Sequence, residues 1–242
     1  MLKMERHMSD MPEPRPAATV VLIRDGTGGL ETLMLKRNKA LLFAGGVWVF
    51  PGGSLDPADW ESGDGSEASA ARIAAAREAE EESGLDIDAD TMVQISHWTT
   101  PVAEPKRFYT WFFLALAPDE PEVVIDGSEI HDHSWMNVSE AIAAHESGDL
   151  GLFPPTIMTL RALQGYMTAE DAMIGIAARD PYDVFPMFAN GGEEIQVFYR
   201  GDVSYDSGDP ALRGASHRCI LRDGVWHYIH KDVAPGIPRL DS

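Results

Sequence analysis

A run of acidic residues at the end of a predicted helix constrains this chain more than any other stretch. The segment that begins near Glu67 is rich in alanine, the strongest helix former, and Gly84 follows its last acids. Glycine directly after such a segment is a common helix stop. The pattern therefore predicts a helix from Glu67 to the residue before Gly84, with carboxylates crowded into its last turns.

Three of these carboxylates lie on one face. Successive helical residues turn by about 100°, so Glu78, Glu81 and Glu82 share a face, whereas Glu80 points away. Arg77 precedes Glu81 by four residues, where the two can pair. Like charges at this spacing repel each other and oppose the helix macrodipole, at a cost of a few tenths to about 1 kcal/mol each.

A bound divalent cation would convert both penalties into attraction. Carboxylate oxygens favour hard cations, Mg²⁺ or Mn²⁺ before Zn²⁺. Because the penalties are small, a solvated acidic face is the alternative. The acids alone leave both possibilities open.

The residues before the helix favour a ligand site. Val47 to Phe50 predicts a short buried strand, and Pro51-Gly52-Gly53 predicts a sharp break after it. Adjacent glycines let a backbone carbonyl approach a ligand where a side chain would block it. The predicted order is thus a strand, a Gly-Gly turn, a loop and the acidic helix.

This order, which ends in Arg-Glu-x-x-Glu-Glu-x-Gly, strongly resembles the Nudix hydrolase box. Gly53 matches the first glycine of the box, and residues 77–85 match its final half. The resemblance implies a catalytic role for the arginine and the three glutamates, with Mg²⁺ or Mn²⁺ as cofactor. The residues concerned are Arg77, Glu78, Glu81 and Glu82 as catalytic residues, and Gly52 (through its carbonyl), Glu78, Glu81 and Glu82 as metal ligands.

Two positions depart from the family pattern. The loop between Gly53 and the helix is longer than usual. The earlier glutamate of the box, eight residues before the arginine, falls on Ser69, although Glu67 lies nearby.

Upstream residues resemble the signature of the coenzyme A diphosphatases in this family. Arg37, Gly46 and residues 50–53 keep its spacing, Leu42 replaces an arginine, and residues 43–56 look closer to the acyl-coenzyme A branch. The resemblance implies hydrolysis of coenzyme A or acyl-coenzyme A, with ADP-ribose or a dinucleotide as alternative substrates. The implied substrate-binding residues are Lys36, Arg37, Phe50, Lys106 and Arg107. From the residues alone, the alternative is that Lys36 and Arg37 are solvated cations at a strand end.

Candidates for the general base lie further along the chain. Glu129 stands shortly before Trp135, where several Nudix enzymes carry an added metal ligand or the base, and Glu104 in a polar loop is an alternative. A box glutamate is the third possibility. His131 and His133 are predicted to lie in a loop, and without a Cys or further His at ligand spacing they do not indicate zinc.

Bulk properties are typical of a soluble enzyme. The net charge of −20 argues against binding to nucleic acid or to an anionic membrane, so we expect a small-molecule partner. The single cysteine, Cys219, excludes an intrachain disulfide and favours a reducing, cytoplasmic location. No uninterrupted apolar stretch is long enough for a membrane span. A homodimer is possible.

Alternating predicted strands and helices indicate an α/β fold with a β-rich C-terminal extension. The resemblance implies the particular architecture, a Nudix-type α/β/α sandwich around a mixed sheet. We expect a flexible leader over 1–16, a Nudix domain over 17–168 and an extension over 169–242 packed on that domain. The extension is predicted to cover the sheet, form a dimer contact or lid the substrate. A Nudix-fold binding or regulatory protein without turnover is the alternative of another class, against which the retained glutamates argue.

Overall fold

The computed structural model describes residues 13–38, 46–119, 122–125 and 127–242. Most of the predicted leader, and the predictions on Leu42 and Phe43, lie outside these ranges. The first strand begins at Arg15, two residues inside the segment expected to be a leader. The backbone explains this difference, because Arg15 N–H donates to the Arg107 carbonyl at 2.9 Å and the strand pairs in parallel from Arg15 onward.

The larger of two sheets is mixed. Its strands are β1 (Arg15–Gly26), β2 (Gly29–Arg37), β3 (Trp48–Val49), β4 (Gly52–Ser54), β5 (Val93–Thr99), β6 (Phe108–Leu116), β7 (Ile130–Asn137) and β8 (Tyr182–Val184). The main path runs β3-β2-β1-β6-β5-β8, with β4 paired to β1 and β7 paired to β2. The β1–β6 and β5–β8 pairs are parallel, and the others are antiparallel.

Successive side chains of β1 point to opposite faces of the sheet and contribute to a hydrophobic core on each face. Val20 and Leu22 face one side of the sheet, whereas Val21 and Ile23 face the other, and all four are fully buried. Helices cover both sides: α1 (Pro57–Ser62), α2 (Glu67–Ser83), α3 (Val138–Glu146), α4 (Pro154–Leu163) and α5 (Ala169–Ala177). The expected α/β/α sandwich is confirmed.

The acidic helix α2 forms as predicted and lies on the first side. Ser66 caps its N-terminus by accepting from Ser69 N–H at 3.2 Å. Gly84 ends it in the left-handed conformation, with φ of 71° and its N–H bonded to the Glu80 carbonyl. Its buried face consists mainly of alanines, which let the helix axis approach the sheet closely.

The C-terminal segment builds a second, antiparallel sheet on the other side. Its strands are β9 (Met187–Phe188), β10 (Ile195–Phe198), β11 (Ser216–Arg222) and β12 (Val225–Lys231), in the order β12-β11-β10-β9. A tight turn at Asp223-Gly224 joins β11 and β12 into a hairpin. Tyr199 and Trp226 belong to the same buried cluster as Val21 and Ile23, so the two sheets share one core. Cys219 is buried in β11, and burial raises the pKa of its thiol to about 12, as expected for an unreactive cysteine.

Several local predictions were wrong. His131 and His133 lie in β7 and not in a loop, because this segment pairs along β2 from Glu31 to Arg37. Gly52-Gly53 is not a turn but part of β4, paired with Thr19 and Ala18 of β1. The strand predicted over 47–50 is shorter, and Trp48 and Val49 are only half-buried.

Within the described ranges, no helix combines the length and the apolar character that crossing a bilayer requires.

The neutral imidazole of His145, in α3, links the first sheet's helices to β12 of the C-terminal segment by hydrogen bonds. Its buried Nδ1–H donates to the Leu150 carbonyl at 2.9 Å, and its Nε2 accepts from Trp226 N–H of β12 at 3.1 Å. Burial lowers the pKa of His145 below its ordinary value of 6.5. The unfolded chain therefore takes up this proton first, so His145 makes the free energy of unfolding fall as pH drops below about 6.5.

We expect His145→Gln to lower the free energy of unfolding by about 1–3 kcal/mol at pH 7.5, because it disturbs two buried hydrogen bonds. The variant should also lose less stability than the wild type between pH 7 and pH 5. Urea unfolding across this pH range measures both effects. His131→Gln, at an exposed position of β7, is the matched control and should change neither. An unchanged pH profile in His145→Gln would show that His145 does not carry the acid sensitivity.

Candidate active site

The site is built where α2 meets β4. Gly52 N–H donates to Glu82 Oε2 at 3.0 Å, which joins the acidic helix to the short strand. A Cβ on Gly52 would collide with the Ala18 carbonyl and Thr19 of the neighbouring strand, and one on Gly53 would collide with the Glu78 carboxylate. Both glycines are therefore required by the close approach of backbone and carboxylates.

Arg77 organises the acids around it. Its guanidinium forms two bonds of 3.1 Å to Asp59 and bonds of 2.8 Å to Glu78 and 3.2 Å to Glu81. It also donates to the Ser54 carbonyl at 3.0 Å. Hydrogen bonding to Asp59 is the main cause that raises the pKa of Arg77. The predicted Arg77–Glu81 pair is present, but most of the hydrogen bonds that Arg77 donates go to Asp59, Glu78 and the Ser54 carbonyl.

Sequence reasoning missed Asp59, the acid that supports this arginine. Asp59 is 2% exposed, and its carboxylate also accepts from Asp56 N–H at 2.7 Å in the capping box of α1. The position expected from spacing, Ser69, instead donates its N–H to the cap of α2, and Glu67 accepts from Trp111 Nε1–H at 3.0 Å. Counting back from Arg77 fails because the extra loop residues lie between Asp59 and α2. The Asp-Pro-Ala-Asp pattern at 56–59 was the available signal, since it marks a helix start.

Two of the box glutamates are desolvated. Glu82 is 8% exposed, and burial raises the pKa of its carboxyl to about 7 against the opposing effect of the Gly52 N–H. Burial likewise raises the pKa of Glu78, although Arg77 opposes it. Glu81 is more open, with 59% of its side chain exposed, and Glu80 is exposed on the opposite face as predicted. Buried carboxylates at a helix C-terminus are costly to ionise without a nearby cation.

These groups line one cleft of about 710 Å³. Its acids and bases among the described residues are Asp56, Glu78, Glu81, Glu82, Glu129, Arg37, Arg77 and Lys106. Five carboxylates against three cations leave the cleft net negative, which suits a divalent cation better than a free anion.

The carboxylate and carbonyl oxygens of the cleft are suitable ligands for a hard cation. The carboxylates of Glu78, Glu81 and Glu82 do not, however, converge on one point in this structure. Over the described residues, no group of three His, Cys, Asp or Glu side chains stands in a metal-binding arrangement. Glu78 and Glu81 are engaged by Arg77, and Glu82 by Gly52 N–H. A cation would therefore compete with Arg77 for two of its ligands, while Asp59 keeps the guanidinium in place.

The remaining predicted residues divide between this cleft and its surroundings. Arg37 lies in the cleft and pairs with Glu129 at 3.3 Å, and Lys106 lines the same cleft. Lys36 alternates to the other side of β2 and lies over the Trp48 ring, 5.2 Å from its centroid. Arg107 donates to the Thr100 carbonyl at 3.3 Å. Glu104 and Phe50 line an adjacent apolar cavity.

Comparison with known proteins identifies the family. The family model described as NUDIX domain matches residues 13–154, more than half of the chain. The chain belongs to the Nudix family.

Individual relatives agree with this assignment. The chain is 30% identical over 184 residues to the Caenorhabditis elegans protein named "Putative nudix hydrolase 7", a match that covers 62% of this chain and 60% of that protein. It is 32% identical over 78 residues to acyl-coenzyme A diphosphatase NUDT19 of Homo sapiens, covering 31% of this chain and 21% of that protein. The matches thus span less than two thirds of either relative.

A solved structure supports the same fold. A NUDIX hydrolase from Alicyclobacillus acidocaldarius superposes with a TM-score of 0.61 at 27% identity. The superposition covers 68% of this chain and 97% of that one.

We expect Asp59→Asn to lower the free energy of unfolding by about 1–3 kcal/mol, because it removes the charge that faces Arg77 in a buried setting. Thermal or urea unfolding measures the change. Glu61→Gln, an exposed acid of the same short helix, is the matched control and should stay within about 0.5 kcal/mol of the wild type. Equal stability of both variants would show that Asp59 does not anchor Arg77.

Proposed function

We propose that this chain is a metal-dependent hydrolase of diphosphate linkages in nucleoside diphosphate derivatives. The observation that carries the proposal is the cleft in which Glu78, Glu81 and Glu82 face Arg37 and Lys106. A diphosphate needs both its charge neutralised and a water activated, and this combination of groups serves both needs. Family membership and the named relatives support the same reaction type.

Different residues of the cleft would bind the cation and the substrate. Glu78, Glu81, Glu82 and the Gly52 carbonyl would hold Mg²⁺ or Mn²⁺, which neutralises the diphosphate oxygens and lowers the pKa of water. Arg37 and Lys106 hold the anionic substrate in place. The Arg37 Nε, buried and without a hydrogen-bond partner among the described residues, suits a phosphate oxygen.

The reaction requires no covalent enzyme intermediate. The oxygen of a water molecule forms a bond to one phosphorus as the bridging P–O bond breaks, and the water's proton passes to a carboxylate. Glu129 is our choice of proton acceptor, because it lines the cleft and its pairing with Arg37 orients it beside the diphosphate site. Glu104, the alternative considered from sequence, lines the adjacent cavity instead.

Within this class, coenzyme A or acyl-coenzyme A is the substrate we propose. The upstream residues Arg37, Gly46 and 50–53 keep the coenzyme A spacing, and one relative carries an acyl-coenzyme A diphosphatase name. ADP-ribose and dinucleotides remain the competing substrates, since the cleft chemistry is common to all of them. A binding protein without turnover is disfavoured because the three glutamates and Arg77 are all retained.

Replacing the cleft carboxylates separates their roles. Glu81→Gln and Glu82→Gln should each lower kcat by at least about a hundredfold with Mg²⁺, because each weakens the cation site. Glu129→Gln should lower kcat more than it raises KM. Glu80→Gln, on the opposite face of α2, is the matched control and should behave as the wild type. Wild-type turnover in both Glu81→Gln and Glu82→Gln would refute the metal assignment.

A panel of diphosphate compounds decides the substrate. Coenzyme A, its form lacking the 3′-phosphate, acyl-coenzyme A and ADP-ribose are incubated with the full chain and Mg²⁺, and products are identified by mass spectrometry. We expect the highest kcat/KM for a coenzyme A species, with adenosine bisphosphate and a phosphopantetheine as products. A higher kcat/KM for ADP-ribose would reject the coenzyme A proposal and keep the general one.

A further inference from the structure

We propose that an apolar cavity between the two sheets binds the acyl chain of an acyl-coenzyme A substrate, and that the C-terminal sheet exists to form its outer wall. The inference rests on the proposed function, because it adds a subsite to the same cleft. It also decides among the roles that the sequence left open for residues 169–242.

The cavity encloses about 480 Å³, within the range of pockets that hold small organic ligands. Its inner wall comes from the larger sheet and the start of α4, including Phe50, Phe112 and Phe153. Its outer wall comes from the C-terminal sheet, including Phe188, Val197 and Trp226. Without the C-terminal sheet this apolar wall of the Nudix domain would face water.

The cavity adjoins the catalytic cleft. Thr19, Phe108 and Thr110 line both of them. Thr19 also pairs with Gly52 across β1 and β4, so the shared lining lies beside the carbonyl proposed as a metal ligand. A substrate whose diphosphate lies at the glutamates can therefore extend one arm across these residues into the cavity.

The lining favours an alkyl chain over a nucleobase. Its surface is almost entirely aliphatic and aromatic, and Glu104 is its single charged residue among the described residues. A buried nucleobase would need several hydrogen-bond partners, whereas an alkyl chain needs none. The Thr99 hydroxyl is buried in this lining without a hydrogen-bond partner in the described ranges, which suits an amide or thioester carbonyl on the same arm. An acyl-pantetheine arm provides both features.

A chain-length series tests the proposal. With the full chain and Mg²⁺, kcat/KM is measured for coenzyme A and for its acetyl, butanoyl and octanoyl thioesters. Burial of four additional methylenes should raise kcat/KM for octanoyl over butanoyl by at least about tenfold. Ile195→Trp, at a 52% exposed residue of the cavity lining, should abolish this rise and leave kcat/KM for free coenzyme A within about twofold of the wild type.

Matched variants control the experiment. Ile174→Trp, at a 63% exposed position of α5 outside the cavity lining, should keep the rise. If Ile195→Trp does not fold, Leu221→Trp replaces it, because Leu221 pairs with Ile195 and lines the same cavity. Equal kcat/KM for all thioesters in the wild type overturns the proposal, as does an equal loss for free coenzyme A and octanoyl-coenzyme A in the cavity variant.

A binding probe separates this proposal from the proposed function. S-Octanoyl-pantetheine carries the chain but no diphosphate, and its binding near Trp98 and Trp226 should change tryptophan fluorescence. Binding that Ile195→Trp weakens at least about tenfold, without hydrolysis of any coenzyme A species, supports the cavity and rejects the proposed substrate. Hydrolysis without detectable probe binding rejects the cavity and keeps the substrate.

Discussion

The close approach of an alanine-faced helix to a glycine strand is the constraint on which the rest of this structure depends. Because α2 buries alanines against β1, Glu78 and Glu82 reach the backbone of Gly52 and Gly53. A larger side chain on either surface would separate the carboxylates from the strand. The same proximity removes these carboxylates from water, which raises the pKa of both and makes a cation at this point favourable.

Arg77 and Asp59 stabilise the clustered carboxylates of the cleft when no cation is bound. The guanidinium balances Glu78 and Glu81 while Asp59, buried beneath it, fixes its position. The cleft can therefore fold with its acids in place and exchange part of the Arg77 pairing for a cation. Beside the cleft, the apolar cavity shares the lining residues Thr19, Phe108 and Thr110 with it. In the complex that we propose, the charged groups of the cleft and the apolar surface of the cavity would contact neighbouring parts of one ligand.

The sequence predicted the helix of the site well because its signals were local. Alanine propensity and Gly84 determine α2, and helical spacing places the glutamates on one face. The prediction failed where pairing between segments far apart in the chain determines the structure. His131 and His133 were expected in a loop, but they lie in a strand because residues 130–137 pair with β2. Asp59 was missed because the longer loop before α2 places it further from Arg77 in the sequence than the family pattern does. The cavity could not be predicted, since its walls come from segments far apart in the chain and only the packing of two sheets brings them together.

Anomalous diffraction from crystals soaked with Mn²⁺ tests the central claim most directly. We expect an anomalous peak within coordination distance of the Glu78, Glu81 and Glu82 carboxylate oxygens and the Gly52 carbonyl, with Arg77 still bound to Asp59. Soaks of Glu82→Gln crystals under the same conditions should show a weaker peak or none. An Mn²⁺ peak elsewhere in the chain, with the box glutamates still paired as they are in the metal-free arrangement, would contradict the account.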